Sequence, residues 1–355
     1  MNRKQRRTAE KITKTRSKSA APHSAADDVV SKAIAAVQAG AFAEAEAALD
    51  EVLARFPDHV EALHQKGMLM ARTDRIEDGI VLLRRVTAEK PREALYWNNL
   101  AAACLTIERS EEALAAARKA VELDPGYVMA LRNLAMAASD LGQSKQAAEA
   151  LEEAAAVSPK DADLWNRLGL AYVELGGGSR AGTVFAKAVS LAPGNAECLS
   201  NLGGVLVQQG RSGEALPHLE KAVEIDPDRF AAALHYGIAL TLTGDLAKGL
   251  RWLRRATSIS PRSGAAWGAL ADAALLAGDQ TEALDAARRA VQFAPEDASH
   301  QARLGKLKHS DKAAGAGAIE LDLGGLVDLS ILTTAERKDE EQIDLSRALG
   351  QIFIR

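Results

Sequence analysis

The chain has 355 residues, of which 47% are hydrophobic but only 4% aromatic, and its formal net charge is −4. This length can bury a sizeable core, and so few aromatic residues favour helices packed through alanine over a sheet core. No apolar run reaches the length of a transmembrane helix, and Cys104 and Cys198 stand too far apart in the pattern described below to form a bridge. The composition therefore argues against a membrane-spanning protein or a disulfide scaffold, and predicts a soluble protein of the cytoplasm.

Residues 1–25 form a basic segment, with eight basic side chains and one acidic one and no apolar stripe. Such a segment cannot bury enough apolar surface to offset the entropy lost on ordering, so we expect a disordered tail. The tail is either a solubilising leader or a contact for an acidic partner, lipid headgroups or nucleic acid. Nucleic acid is the less favoured partner because no aromatic residues are interleaved with the basic ones.

Eight of the ten prolines recur every 34 residues. They are Pro57, Pro91, Pro125, Pro159, Pro193, Pro227, Pro261 and Pro295. A fixed period of this size is typical of one supersecondary unit copied end to end. If the proline is placed at position 32 of each unit, residues 26–297 contain eight units that begin at Ala26, Val60, Ala94, Val128, Ala162, Ala196, Phe230 and Gly264.

Each unit contains two apolar stripes at helical spacing, one at positions 4, 7, 8 and 11 and one at positions 20, 24 and 27. Positions 8 and 20 hold only glycine or alanine, which would let two helices approach closely. A glycine at position 15 separates the stripes in six units, and the proline ends the second helix. The pattern predicts a pair of amphipathic helices in every unit.

This arrangement of bulky, small and proline positions resembles the tetratricopeptide repeat. The resemblance implies an all-α fold, a right-handed α-solenoid or superhelix of eight helix–turn–helix repeats, with the first helix of each repeat lining a concave channel. Residues 298–310 repeat the first half of a unit with fewer apolar side chains, as a C-terminal capping helix requires. The opening residues MNRKQRR also resemble the start of many bacterial tetratricopeptide proteins.

Polar residues recur at position 6 of the first helix, and two asparagines precede them at position 5. The resulting candidate site residues are Gln65, Asn98, Asn99, Asn133, Asn166, Arg167, Asn201 and His235. The series resembles the concave asparagine ladder of O-linked N-acetylglucosamine transferases, where such side chains hold an extended peptide by its backbone. An amide offers both donors and an acceptor, so it can satisfy a peptide N–H and C=O together. The alternative is that these residues only keep the inner wall soluble and stabilise the turns between helices.

The peptide-holding interpretation carries an expectation about stability. If the amides lie open in a groove, alanine at Asn99, Asn133 and Asn201 should leave helicity and melting nearly unchanged while weakening partner binding.

Residues 311–355 lie outside the repeat and are predicted to form a linker and an acidic, apolar segment with a short amphipathic helix. The part after Ser310 carries nine acidic and five basic residues. This segment either docks on the repeats, where it would compete with a ligand, or recognises a partner.

No catalytic, nucleotide-binding or metal-binding motif stands out, and the run Gly176–Gly182 falls in the turn between two helices rather than after a strand. We therefore expect no enzyme activity, no cofactor and no metal site. The sequence favours a protein interaction scaffold that binds an extended peptide or a partner protein. The alternatives are a regulatory or substrate-presenting subunit of a separate enzyme, such as a glycosyltransferase or methyltransferase, and a self-assembling structural protein.

Overall fold

The computed structural model describes residues 25–73 and 75–312, which fold into helices joined by short turns without any strand. The predicted features of residues 1–24 and 313–355 lie outside the described residues. The chain divides into two compact units, and the boundary falls between Gln143 and Ser144. The all-α helical repeat solenoid expected from the sequence is confirmed.

The helices alternate between two kinds, which follow the 34-residue period. The first helices of the repeats are α1 (residues 25–38), α3 (Val60–Ala71), α5 (Ala94–Thr106), α7 (Val128–Asp140), α9 (Ala162–Glu174), α11 (Ala196–Gln208), α13 (Phe230–Leu242) and α15 (Gly264–Leu276). The second helices are α2 (Phe42–Arg55), α4 (Ile76–Glu89), α6 (Ser110–Leu123), α8 (Ser144–Val157), α10 (Gly178–Leu191), α12 (Ser212–Ile225), α14 (Leu246–Ile259) and α16 (Gln280–Phe293). A final helix, α17 (Ala298–Lys312), packs on α16.

The small residues at positions 8 and 20 lie where the two helices of a repeat cross. A Cβ atom added to Gly79 on α4 would lie only 2.6 Å from the backbone oxygen of Gly67 on α3. In the second unit, Gly169 faces the ring of the fully buried Phe185 in the same way. A larger side chain at either position would push the helices apart, because protein interiors have no free volume to receive it.

The turn between the helices of a repeat needs a left-handed residue at position 15. Six glycines adopt positive φ there: Gly40, Gly142, Gly176, Gly210, Gly244 and Gly278. In the third repeat the same position is held by Glu108, with φ of 57°. A residue with a Cβ atom costs about 1–2 kcal/mol in this conformation, so Glu108 is a strained link in the first unit.

In three repeats a tryptophan at position 4 links the first helix to the preceding proline. The indole nitrogen of Trp97 donates a hydrogen bond to the carbonyl oxygen of Pro91 at 3.0 Å, and Trp165 and Trp267 repeat this bond in their own repeats. On α17 the amide of Gln301 takes the place of the indole and donates to the Pro295 carbonyl at 2.6 Å. The last helix therefore keeps the polar contact of a repeat without its large apolar side chain.

No helix among the described residues combines the length and the apolar character that crossing a membrane demands.

Candidate functional site

The polar residues of the first helices bond to one another between neighbouring repeats. Position 5 of one repeat meets position 6 of the next, 35 residues further along the chain. The three bonded pairs are His64 with Asn99 at 2.7 Å, Asn98 with Asn133 at 2.9 Å and Asn166 with Asn201 at 2.9 Å. We call the polar residues at positions 5 and 6 of the first helices the polar series. Each pair joins two successive first helices through side chains.

In the first unit the pairs merge into one buried network across α3, α5 and α7. Asn133 donates to Asn98, Asn98 donates to the side-chain oxygen of Asn99 at 3.2 Å, and Asn99 donates to Nε2 of His64. The four side chains are between 0 and 3% exposed. The side-chain nitrogen of Asn99 can only donate, so Nε2 of His64 is the acceptor of this bond.

A carboxylate lies at the edge of this network. Nδ1 of His64 is 3.7 Å from the carboxylate of Glu61, and Gln65 donates a hydrogen bond to the same oxygen at 2.7 Å. The neighbouring imidazole, together with the Gln65 amide, holds the pKa of Glu61 below its usual value. Burial raises the pKa of the adjacent Tyr96 to about 12. At neutral pH the ionised carboxylate of Glu61 on α3 therefore lies beside the neutral phenol of Tyr96 on α5, and both side chains are half-buried.

The second unit contains a shorter network on α9 and α11. Asn201 donates to the side-chain oxygen of Asn166, and Asn166 donates in turn to the carboxylate of Glu197. Arg167 bonds within its own helix, from Nε to Asp163 at 3.0 Å. Both asparagines are at most 3% exposed, whereas Glu197 is half-buried, so this network also runs from a buried amide pair to a more accessible carboxylate.

The next step of the series, on α11 and α13, has no such bond. His235 is 1% exposed and neither of its ring nitrogens has a hydrogen-bond partner. The hydroxyl of Ser200, at position 5 of the preceding repeat, is also buried and without a partner. Burial lowers the pKa of His235 to about 4, so the imidazole is neutral near pH 7. This part of the series contains buried polar groups whose hydrogen-bonding capacity is unused.

The predicted site residues thus fall into three groups. Asn98, Asn99 and Asn133 form one network, Asn166 and Asn201 form a second, and the other three residues, Gln65, Arg167 and His235, stand outside both. Burial of the asparagines revises the expectation that alanine would leave stability unchanged, because loss of one amide strands its buried partner.

The pattern of polar residues at position 6 does not predict two further members of the series, His64 and Ser200, which stand at position 5. The signal that finds them is positional: each stands 35 residues before a polar residue at position 6, namely Asn99 and His235.

Among the residues that the structure describes, no three histidine, cysteine or acidic side chains are grouped as metal ligands. The two thiols, Cys104 and Cys198, are buried and free, and burial raises the pKa of each to about 12. Thiols of this kind lack the thiolate character of a nucleophile.

Family models identify the repeat. Models of the tetratricopeptide repeat match residues 36–104 and, in two overlapping segments, residues 201–263 and 250–298. A model of the middle tetratricopeptide-like domain of cilia and flagella-associated protein 70 matches residues 80–192. These matches and the helical repeat show that the chain is a tetratricopeptide repeat protein. The resemblance to the ladder of O-linked N-acetylglucosamine transferases stays a prediction.

Solved structures show the same fold. The Cut9–Hcn1 hetero-tetramer of the APC/C is 16% identical with a TM-score of 0.55, and the match covers 79% of this chain and 54% of that one. PilF of Pseudomonas aeruginosa is 19% identical with a TM-score of 0.52, and the match covers 60% of this chain and 96% of that one. At this level of identity the similarity concerns the fold alone. No curated protein matches the chain.

Proposed function

We propose that the protein is a non-catalytic scaffold that holds an extended peptide, or an extended segment of a partner protein, against its first helices. The fold is that of protein interaction scaffolds in general. The polar series is the observation that carries the finer proposal. Amides and imidazoles are buried at the same two positions of successive repeats, where alanine or leucine would fill the space without needing hydrogen-bond partners.

The series has hydrogen-bonding capacity to spare. A primary amide carries two N–H donors and two acceptor lone pairs. In the networks on α5, α7, α9 and α11, each asparagine donates to one neighbouring side chain. In addition, Oε1 of Gln65 has no partner. A peptide backbone alternates donors and acceptors, and each bond that it makes would contribute about 0.5–1.5 kcal/mol.

Apolar side chains beside the series offer contacts for the side chains of a ligand. Leu95 on α5 is 43% exposed and precedes Asn98 and Asn99 by three and four residues, so it lies on the same face of the helix. Met129 holds the same position on α7 and is half-buried.

We also propose a reducing, cytoplasmic setting, on the basis of the free thiols of Cys104 and Cys198.

Site-specific photo-cross-linking to a peptide tests this proposal. The probe is a peptide selected on the full chain from a random display library. A photoreactive residue is placed on a first helix in each unit, at Leu95 or at the exposed Gln208, which follows Ser200 by two helical turns. Matched control sites lie on second helices, at Val81 and Ile225, which are 52% and 46% exposed.

We expect the peptide to cross-link at position 95 or 208 and not at the control positions. Equal cross-linking at the control positions would place the binding surface on the second helices. If no peptide can be selected, the protein does not hold extended peptides and the proposal is wrong.

A further inference from the structure

The carboxylate of Glu61 lies at the accessible edge of the first network. Its side chain is 41% exposed, and the amide of Gln65 donates a hydrogen bond to it at 2.7 Å. The imidazole of His64 lies 3.7 Å away, but it is uncharged because its Nε2 accepts a hydrogen bond from Asn99. Among the residues that the structure describes, no lysine or arginine forms an ion pair with Glu61. This negative charge is therefore open to solvent and is not neutralised by a cation of the described chain.

Carboxylates elsewhere in the repeats are neutralised by arginine. On α9, Asp163 holds the same position of its repeat as Glu61 does on α3, and it accepts a hydrogen bond from Arg167 at 3.0 Å. On the second helices, Glu112 is paired with Arg84 at 2.7 Å. Glu61 differs from both in that the groups bonded to it are neutral, so its charge remains available to a cation from outside the chain.

An aromatic ring and a second carboxylate lie beside Glu61. The phenol oxygen of Tyr96 is 3.5 Å from the second oxygen of the Glu61 carboxylate. Glu93, exposed at the start of α5, adds a further negative charge, and the charges of Glu61 and Glu93 act with burial to raise the pKa of Tyr96 to about 12. A carboxylate next to an aromatic ring is the combination that attracts ammonium and guanidinium groups.

Gln65 supplies an acceptor as well as a donor. Its side chain is 9% exposed, and its Oε1 has no hydrogen-bond partner, although its Nε2 is bonded to Glu61. Since both atoms belong to one amide group, the unpartnered oxygen lies close to the carboxylate. The oxygen is covered in the free chain, so an incoming cation meets the exposed carboxylate of Glu61 first.

We propose that Glu61, Gln65 and Tyr96 form a cation subsite that takes a lysine or arginine side chain of the bound peptide. The inference rests on the proposed function, because it assigns a side-chain preference to the surface that holds the ligand. Leu95 is 43% exposed and holds the position of Glu61 in the next repeat, so it offers apolar surface to the methylene stem of a long basic side chain. An acidic side chain would be repelled by Glu61 and Glu93.

Removing the charge of Glu61 gives the sharpest test. Glu61→Gln keeps the size of the side chain and an acceptor for Gln65, so the melting temperature of the full chain should change little. The probe is a display-selected peptide that cross-links at position 95. Its affinity should fall by about tenfold, as expected for one lost hydrogen bond to a charged group. The difference from wild type should shrink at high salt.

The matched control is Glu122→Gln on α6. It changes the net charge of the chain by the same amount, but it removes an exposed carboxylate that is already paired with Lys119 on a second helix. We expect this variant to bind the peptide as tightly as wild type.

Neutral replacements in the peptide locate the contact. Each arginine is replaced by citrulline and each lysine by norleucine, one at a time. One replacement should cost wild-type protein about tenfold in affinity and cost Glu61→Gln much less, because non-additive losses indicate a direct interaction.

The outcomes separate the two proposals. Selected peptides without enrichment of lysine or arginine would overturn the cation subsite and leave the scaffold proposal standing. So would equal affinity of wild type and Glu61→Gln for a peptide that cross-links at position 95, or equal losses in Glu61→Gln and Glu122→Gln. If no peptide cross-links on the first helices, the scaffold proposal itself fails and the cation subsite fails with it.

Discussion

Arg303 on α17 donates a hydrogen bond from Nε to the carboxylate of Asp272 on α15 at 2.8 Å, and both side chains are largely buried. Arg303 holds position 6 of the last helix, whose expected partner at position 5 is Gly268. Since Gly268 has no side chain, the guanidinium reaches one turn further, to Asp272. Nη1 of the same arginine lies 2.8 Å from Nδ1 of His300. The last helix is thus anchored by an ion pair where earlier repeats use amides.

Removing the arginine should unseat the last helix. Burial already raises the pKa of Asp272, and Arg303 opposes that rise. In Arg303→Met the Asp272 carboxylate is left without its cation, and we expect the free energy of unfolding to fall by about 3 kcal/mol at pH 7. Part of the loss should return as the pH falls, because a protonated carboxyl is cheaper to bury. Thermal melting and hydrogen exchange on α15 and α17 measure the effect.

The control for this variant is Arg288→Met. Arg288 pairs with Asp285 at 3.1 Å on the surface of α16, where an ion pair contributes at most about 1 kcal/mol. Equal stability of the two variants would show that the buried pair does not hold α17 in place.

The buried amides of the first unit should contribute to stability as a pair. In Asn98→Ala the Asn133 amide loses its acceptor and Asn99 loses its donor, at a cost of about 1–3 kcal/mol for each stranded group. We expect Asn98→Ala and Asn133→Ala to be coupled by about 1 kcal/mol in urea unfolding of the single and double variants. Lys119→Ala, which removes an exposed ion pair with Glu122, should change little. Additive losses would mean that the two amides do not bond in solution.

The sequence was sufficient to predict the helices because every constraint on them is local and repeated. The first helices α3 and α5 begin at Val60 and Ala94, where the proline spacing places the starts of the second and third repeats. Each proline acts on the residue before it, and each position 15 glycine acts on its own turn. Eight prolines and six glycines at the same positions of the repeat leave little freedom in where a helix begins.

The site was predicted less completely because its bonds join different repeats. The sequence shows that Asn98 and Asn133 are polar, but the 35-residue step that pairs them depends on how far one first helix is displaced against the next. That displacement decides whether an amide lies open or is buried. Gly268 stands where earlier repeats have a polar residue, so Arg303 bonds to Asp272 instead. No periodic pattern in the sequence predicts that partner. Ser200 and His235 satisfy the pattern yet remain unbonded, which only coordinates reveal.

The turn at Glu108 should tolerate glycine better than glutamate. Its φ of 57° is costly for a residue with a Cβ atom, and glycine removes that cost while adding some entropy to the unfolded chain. We expect Glu108→Gly to stabilise the protein by about 0.5–1 kcal/mol in chemical denaturation. The reverse change is Gly142→Ala. A Cβ atom added to Gly142 would meet open space, but φ is 68° there, so this variant should lose about 1 kcal/mol of unfolding free energy through the backbone alone. A destabilised Glu108→Gly would show that the glutamate side chain contributes more than its backbone costs.

The two thiols should report separately on the two units. Cys104 lies on α5 in the first unit and Cys198 on α11 in the second, and they are 0 and 2% exposed. With a pKa of about 12, each thiol holds very little thiolate at pH 8. Iodoacetamide should therefore modify neither thiol in the native protein and both in concentrated urea. Mass spectrometry at intermediate urea then shows which unit opens first. Rapid native modification of either thiol would contradict its burial.

His235 should make the stability of the second unit depend on pH. Its pKa is about 4 in the folded protein against 6.5 for an ordinary histidine, so the unfolded chain binds a proton more readily. The stabilisation is complete above pH 6.5, declines as the pH falls, and is lost below pH 4, for a total of about 3 kcal/mol. His235→Gln has no such titration, whereas the acidic residues are common to both proteins. The difference in unfolding free energy between wild type and His235→Gln should therefore shrink, or turn in favour of the variant, between pH 7 and pH 4. Parallel stability curves would mean that water reaches the imidazole and that its protonation is not coupled to folding.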